Sequence, residues 1–98
     1  MSNIERLHDA IRRMHGCESV HLSTSTVKEV FQVDVAWEGA VELFELSGPQ
    51  PAHQCYAWSR QEDDGSERYF AILKLPPVTS AETAVRAAIV SEFKNRPN

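Results

Sequence analysis

Two tripeptides in the sequence carry the same pair of metal-binding residue types at the same spacing: His15-Gly16-Cys17 and His53-Gln54-Cys55. Two imidazoles and two thiolates make up a tetrahedral set that zinc accepts, so these four residues are candidate zinc ligands. Standard structural zinc modules leave more than one residue between paired ligands, however. Cysteine is also commonly a small buried hydrophobic residue, and a histidine at a helix end stabilises the helix dipole. The sequence therefore favours a protein without a cofactor, with zinc as the alternative.

The same residues suggest a cysteine-dependent enzyme in which His15 or His53 acts as the base. Their placement disfavours an activated thiol. Cys17 follows the negative end of a predicted helix, and Cys55 lies among apolar neighbours, so neither position stabilises a thiolate. A third candidate is Glu42, which interrupts an apolar stretch and is expected to reach water at a sheet edge. No residue is assigned a catalytic role, and a non-enzymatic protein is favoured.

Composition limits the function classes further. The 98 residues are enough for one domain, 1–98, and the formal net charge of −4 opposes binding to nucleic acid. Apolar runs fall far short of the ~20 residues that a membrane span requires. The first residues lack the pattern of a signal peptide, so a cytoplasmic location with reduced cysteines is expected.

Two helices are predicted at the ends of the chain. The first, at about 3–15, has an apolar stripe at helical spacing and ends at Gly16, a typical C-cap residue. The second, at about 80–94, follows Pro76-Pro77 and is predicted to begin with a capping box formed by Thr79 and Glu82. Its apolar stripe consists largely of alanine and valine, which permits close packing on a sheet.

The middle of the chain predicts antiparallel strands. Residues 31–37 and 40–46 flank Glu38-Gly39, which predicts a hairpin with a two-residue turn. A second hairpin is predicted from 54–60 to 68–75, turning near Asp64-Gly65, with Tyr56 and Trp58 in the core. A further strand at 19–26 is predicted to run on through a bulge or bend, because no glycine or proline separates it from residue 31.

These elements predict an α+β domain with an N-terminal helix, a four- or five-stranded antiparallel sheet of two hairpins, and a C-terminal helix. Both helices are expected on one sheet face. The second face would then be apolar and uncovered, which favours an interaction module that binds a protein partner or a second copy as a homodimer. The residues expected on that interaction face are Val30, Ala36, Val41, Leu43, Cys55, Ala57, Phe70 and Ile72.

Several stretches also resemble short uncharacterised bacterial proteins. They are residues 37–44 (WEGAVELF), 55–58 (CYAW), 76–78 (PPV) and the alanine-rich part of the last helix. The resemblance implies a bacterial, cytoplasmic, single-domain protein and carries no catalytic residues with it. The helix–strands–helix order also resembles double-stranded-RNA-binding domains, but Ser80-Ala81-Glu82 replaces the lysine-rich start of their last helix.

Overall fold

The computed structural model describes residues 3–31, 34–48 and 52–94, with the side chains of 31, 34–36 and 92–94 not included. The element order is α1 (Asn3–His15), β1 (Ser19–Phe31), β2 (Asp34–Leu46), β3 (Gln54–Gln61), β4 (Glu67–Leu73) and α2 (Ala81–Lys94). The four strands form one antiparallel sheet in the order β1-β2-β3-β4. The predicted α+β class and antiparallel sheet are confirmed.

Local sequence determines where both helices end or begin. Gly16 adopts a φ of 69° and its N–H donates to the carbonyl of Arg12 at 2.9 Å, which ends α1 as predicted. At the start of α2 the Ser80 hydroxyl accepts from the N–H of Thr83, and the Thr83 hydroxyl accepts from the N–H of Ser80. The capping box is therefore formed by Ser80 and Thr83 rather than by Thr79 and Glu82.

The prediction of a hairpin turn at Glu38-Gly39 is wrong. Residues 34–46 form the single strand β2, in which Glu38 pairs with Lys28 and Gly39 with Val27. Gly39 instead makes room for an indole: a Cβ atom at this position would lie 2.8 Å from the Trp37 ring. Residues 19–26 are not a separate strand: β1 runs from Ser19 to Phe31, with irregular pairing between His21 and Ser23 and between Glu29 and Val30.

The second hairpin is confirmed. β3 and β4 pair in a continuous register from Cys55 opposite Leu73 to Gln61 opposite Glu67. The connection contains Gly65 at a φ of 89°, a conformation that glycine adopts without strain. Asp64 accepts hydrogen bonds from the N–H and the hydroxyl of Ser66, which closes the turn.

The two helices lie on opposite faces of the sheet, so the prediction that they share one face is wrong. Leu7 and Ile11 of α1 pack in a buried cluster with Phe44, Cys55, Ala57 and Ala71. Ala84 and Val85 of α2 belong to a second cluster with Val41, Tyr56 and Trp58. Because successive side chains of a strand point to opposite faces, the alternation along β3 separates the two clusters.

The predicted interaction face does not exist as one surface. Cys55 and Ala57 are buried on the α1 side, whereas Val41 is buried on the α2 side. Leu43, Phe70 and Ile72 are partly buried against the α2 cluster. Val30 is exposed, and the side chain of Ala36 lies outside the described residues. The correction follows from α2, which covers the face that was expected to be open.

Candidate functional site

The four predicted zinc ligands do not form a common site. The Nε2 atom of His15 donates a hydrogen bond to the carbonyl oxygen of Ala71 at 2.7 Å. Cys17 and Cys55 are buried in the α1 cluster, while His53 is exposed at the start of β3. Within the described ranges, no group of three or more His, Cys, Asp or Glu residues is arranged to hold a metal ion.

The more deeply buried thiol is not prepared for nucleophilic chemistry. Cys55 is inaccessible to solvent, and this burial, together with the nearby Cys17, raises its pKa to about 12. Its Sγ–H points to the carbonyl of Tyr56 at 3.6 Å. A thiol with this pKa is neutral at physiological pH and therefore a weak nucleophile.

The carboxylate of Glu42 is buried, contrary to the expectation that it reaches water. The residue is 6% exposed and accepts a hydrogen bond from His21 Nε2 at 2.7 Å. The hydroxyl of Thr24 donates to the same carboxylate oxygen. Both donors lie on β1, so the three side chains join the first two strands. Sequence reasoning missed this group because it depends on the register between β1 and β2.

A serine–histidine pair also lies on the α1 side of the sheet. The Ser19 hydroxyl is 2.6 Å from Nδ1 of His8, whose ring contacts Phe44 edge-on. In a catalytic triad a carboxylate orients the histidine. The buried carboxylate on this face, Glu42, bonds to His21 instead. The pair links α1 to β1.

The aromatic residues on the other face are packed and do not form an open stacking platform. Trp58 is buried and stacks on Phe70, with ring centroids 5.1 Å apart. Tyr56 is also buried, in the same α2 cluster. This agrees with the prediction that Tyr56 and Trp58 are core residues.

Two shallow grooves lie beside the segment that precedes α2. One has a volume of about 560 Å³ and is lined by Pro77 and by one side of α2 around Ala87. The other measures about 590 Å³ and contains His53 and Lys74. Both are open to solvent. Neither brings the paired His and Cys residues together.

The sheet has two edges, and they differ in how they are protected. At β4, the N–H of Lys74 donates to the carbonyl of Gln54 at 2.9 Å, so Gln54 directs its backbone groups towards β4. In an antiparallel pair, hydrogen-bonded and non-hydrogen-bonded residue pairs alternate along the strands. Ala57 and Ala71 are therefore a pair without backbone hydrogen bonds between them, and the carbonyl of Ala71 faces the outer edge of β4. That carbonyl receives the hydrogen bond from His15. The last residue of α1 thus occupies one of the outward acceptors of the β4 edge.

The direction of the backbone groups at the β1 edge can be derived from the pairing of the next two strands, β2 and β3. The N–H of Leu46 donates to the carbonyl of His53 at 2.8 Å, on the β3 side of β2. Since antiparallel residues point alternately to one neighbour and the other, Leu43 and Val41 direct their backbone groups to β1. The register then identifies the β1 residues that bond inward.

Ser23 and Ser25 are the β1 partners of these residues, and their backbone groups are used within the sheet. Thr24, Thr26 and Lys28 alternate with them and therefore present their N–H and C=O groups at the free edge of β1. The side chains of these three residues are exposed. Among the described residues no other strand pairs with this edge, which we call the free edge of β1 and which is a row of backbone donors and acceptors on a strand of 13 residues.

Exposed apolar side chains concentrate on the same strand. Val20, Leu22 and Val30 are 59%, 43% and 56% exposed, and they are three of the five large hydrophobic residues that are exposed in the described part of the chain. The other two are Met14 and Leu75. An edge strand with exposed apolar side chains is a surface on which another strand can pair.

Comparisons of the chain with protein-family models, with curated proteins and with solved structures give no match. No helix in residues 3–15 or 81–94 is long and apolar enough to cross a membrane.

Proposed function

We propose that this protein is a non-enzymatic interaction module that forms a homodimer by pairing the free edge of β1 with the same edge of a second copy. The observation that carries the proposal is the contrast between the two sheet edges. β4 is shorter and has one outward carbonyl, that of Ala71, bonded to His15, whereas β1 presents outward backbone groups at Thr24, Thr26 and Lys28. Natural proteins usually shorten, twist or cover such edges.

The side chains around this edge support the proposal. Leu22 and Val30 stand at either end of the outward-facing row and are exposed. Burial of apolar surface is worth about 25 cal/mol per Å², so pairing that covers these side chains adds to the backbone hydrogen bonds. β1 contains no proline or glycine, so each of its residues keeps a backbone N–H.

A second copy is the occupant that the edge geometry favours. Two identical strands that pair antiparallel are related by a two-fold axis, and each supplies the same surface. The joined sheet would then end on both sides in β4, whose outward carbonyl at Ala71 is occupied by His15. Because the pairing uses β1 of both copies, association through this edge closes at two copies.

The pairing is expected to be weak and reversible. Contact along one strand buries less than the ~1,600 Å² of a standard protein interface, and interfaces of this smaller size are typical of transient complexes. The proposal includes the cytoplasmic location expected from the sequence, where the two free cysteines remain reduced.

Sedimentation equilibrium from about 10 μM to about 1 mM tests the proposal, because this range brackets a weak dimer. We expect the wild type to move from monomer to dimer over this range. Thr26→Pro removes an outward N–H without removing a β1–β2 hydrogen bond, and should stay monomeric with an unchanged circular dichroism spectrum. Thr26→Val keeps the N–H and should dimerise like the wild type.

Leu22→Lys provides a second variant if Thr26→Pro disturbs folding, since a charge on an edge strand opposes pairing. A wild type that is monomeric at the highest concentration overturns the proposal. Equal dimerisation of the wild type, Leu22→Lys and folded Thr26→Pro also overturns it, because the contact would then lie elsewhere.

A further inference from the structure

We infer that the two-fold axis of this dimer passes beside Thr26, so that Thr26 pairs with Thr26 of the second copy. This inference rests on the proposed dimer and specifies its register. It begins from two irregularities in the β1–β2 pairing, one between His21 and Ser23 and the other between Glu29 and Val30. Residues 23–29 between them pair regularly, and Thr26 is their midpoint.

Irregularities of this kind bend a strand and increase its twist, so an added strand pairs best along the regular part. An axis beside Thr26 uses all of residues 23–29 in both copies. An axis beside Thr24 would pair only residues 23–25 of the regular part in each copy. An axis beside Lys28 would pair only residues 27–29 and would also place two lysines side by side.

Axes at the neighbouring residues Ser25 and Val27 also keep the outward backbone groups facing each other. They differ in the side chains that meet. An axis at Ser25 places Leu22 beside Lys28 of the second copy, and an axis at Val27 places Thr24 beside Val30. The axis at Thr26 brings Leu22 next to Val30 on both sides of the interface.

Leu22 and Val30 are the two exposed apolar residues that flank the outward row, so the register centred on Thr26 covers both of them in each copy. The remaining outward pair in this register is Thr24 with Lys28, which places no like charges together. The geometry thus selects one register from the three that the backbone permits.

Disulfide cross-linking of cysteine variants tests the register. Directly paired residues have Cα atoms about 5.5 Å apart, within the reach of a disulfide, whereas a self-pair of residue 24 in this register would be about 14 Å apart. Under mild oxidation, Thr26→Cys should therefore form covalent dimers at least about tenfold faster than Thr24→Cys or Lys28→Cys alone. A mixture of Thr24→Cys and Lys28→Cys should give the covalent heterodimer.

The wild type provides the baseline, because Cys17 and Cys55 are both buried. Sedimentation of each variant under reducing conditions separates the two possible failures. If the reduced proteins do not dimerise, the proposed function fails. If they dimerise but Thr26→Cys cross-links no faster than Thr24→Cys, or the heterodimer is absent, the dimer stands and the register inferred here is wrong.

Discussion

His15, the last residue of α1, donates a hydrogen bond of 2.7 Å to the carbonyl oxygen of Ala71 at the outer edge of β4. The sequence predicted His15 as a helix-terminal residue or a zinc ligand. In the structure the imidazole satisfies a backbone acceptor that would otherwise be available to another strand. This contact is one respect in which the two sheet edges differ.

Replacement of this imidazole should expose the β4 edge. We expect His15→Ala to lower the free energy of unfolding by about 1 kcal/mol, the usual worth of one hydrogen bond. The variant should also form species larger than a dimer at high concentration, because both edges can then pair. Urea unfolding and sedimentation velocity measure the two effects.

His53→Ala is the matched control, because His53 is exposed at the start of β3. Its free energy of unfolding should stay within about 0.5 kcal/mol of the wild type. If His15→Ala associates no further than His53→Ala, the His15–Ala71 contact does not protect the edge.

The buried carboxylate of Glu42 should contribute to stability through its two donors on β1. Glu42→Ala leaves the His21 N–H and the Thr24 hydroxyl without their acceptor, in a site where Glu42 is 6% exposed. We expect the free energy of unfolding to fall by about 2–3 kcal/mol. This is less than the cost of breaking a fully buried pair, because His21 is partly accessible to solvent. Equilibrium urea unfolding gives this value.

Glu45 lies on the same strand but is exposed, so Glu45→Ala should change the free energy of unfolding by less than about 0.5 kcal/mol. Comparable effects of the two substitutions would mean that water solvates the Glu42 carboxylate, and that its contacts with β1 add little.

The fold could be predicted from the sequence where the signal is local. The C-terminal end of α1 and the turn near Gly65 depend on glycines with positive φ, Gly16 and Gly65, and the structure contains both. The prediction of a turn at Glu38-Gly39 failed because glycine occurs in proteins for two different reasons. Some turns require its positive φ, but other positions require the absence of a side chain. Gly39 is of the second kind, since it leaves space for the indole of Trp37.

The helix placement and the free edge could not be predicted in the same way. Alternation assigns side chains to two faces, but it does not say which strands are neighbours or which helix covers which face. One signal was present: β3 is apolar on both faces, with Cys55 and Ala57 alternating with Tyr56 and Trp58. A strand of this kind is covered on both sides, as the two clusters show.

Gly39→Ala tests the role of this glycine within β2. The new Cβ would lie 2.8 Å from the Trp37 ring, so the indole must move away from its contact with Trp58. We expect a loss of about 1–2 kcal/mol from this displacement. Near-ultraviolet circular dichroism should report the altered tryptophan pair, and urea unfolding the stability.

Ala40→Ser, at the next and exposed position, should leave both the spectrum and the stability close to those of the wild type. A Gly39→Ala variant with an unchanged tryptophan signal would show that the strand accepts a Cβ atom here, and another reason for glycine would be needed.

The Cys55 thiol should make stability depend on pH in the alkaline range. Its pKa is raised by burial from 9.0 to about 12, so the unfolded chain loses this proton at lower pH than the folded chain. The contribution is complete below pH 9 and is lost as the pH rises towards 12. At about pH 10.5 the loss relative to about pH 8 should be about 2 kcal/mol.

Cys55→Ala separates this effect from the titration of lysines and tyrosines, because it removes only the thiol. The decrease in unfolding free energy between about pH 8 and about pH 10.5 should be about 2 kcal/mol smaller in this variant than in the wild type. Iodoacetamide should also label Cys55 slowly at neutral pH, since only the thiolate reacts. Rapid labelling, or equal pH dependence in the two proteins, would mean that water reaches the thiol, and the argument against a cysteine nucleophile would then lose its physical basis.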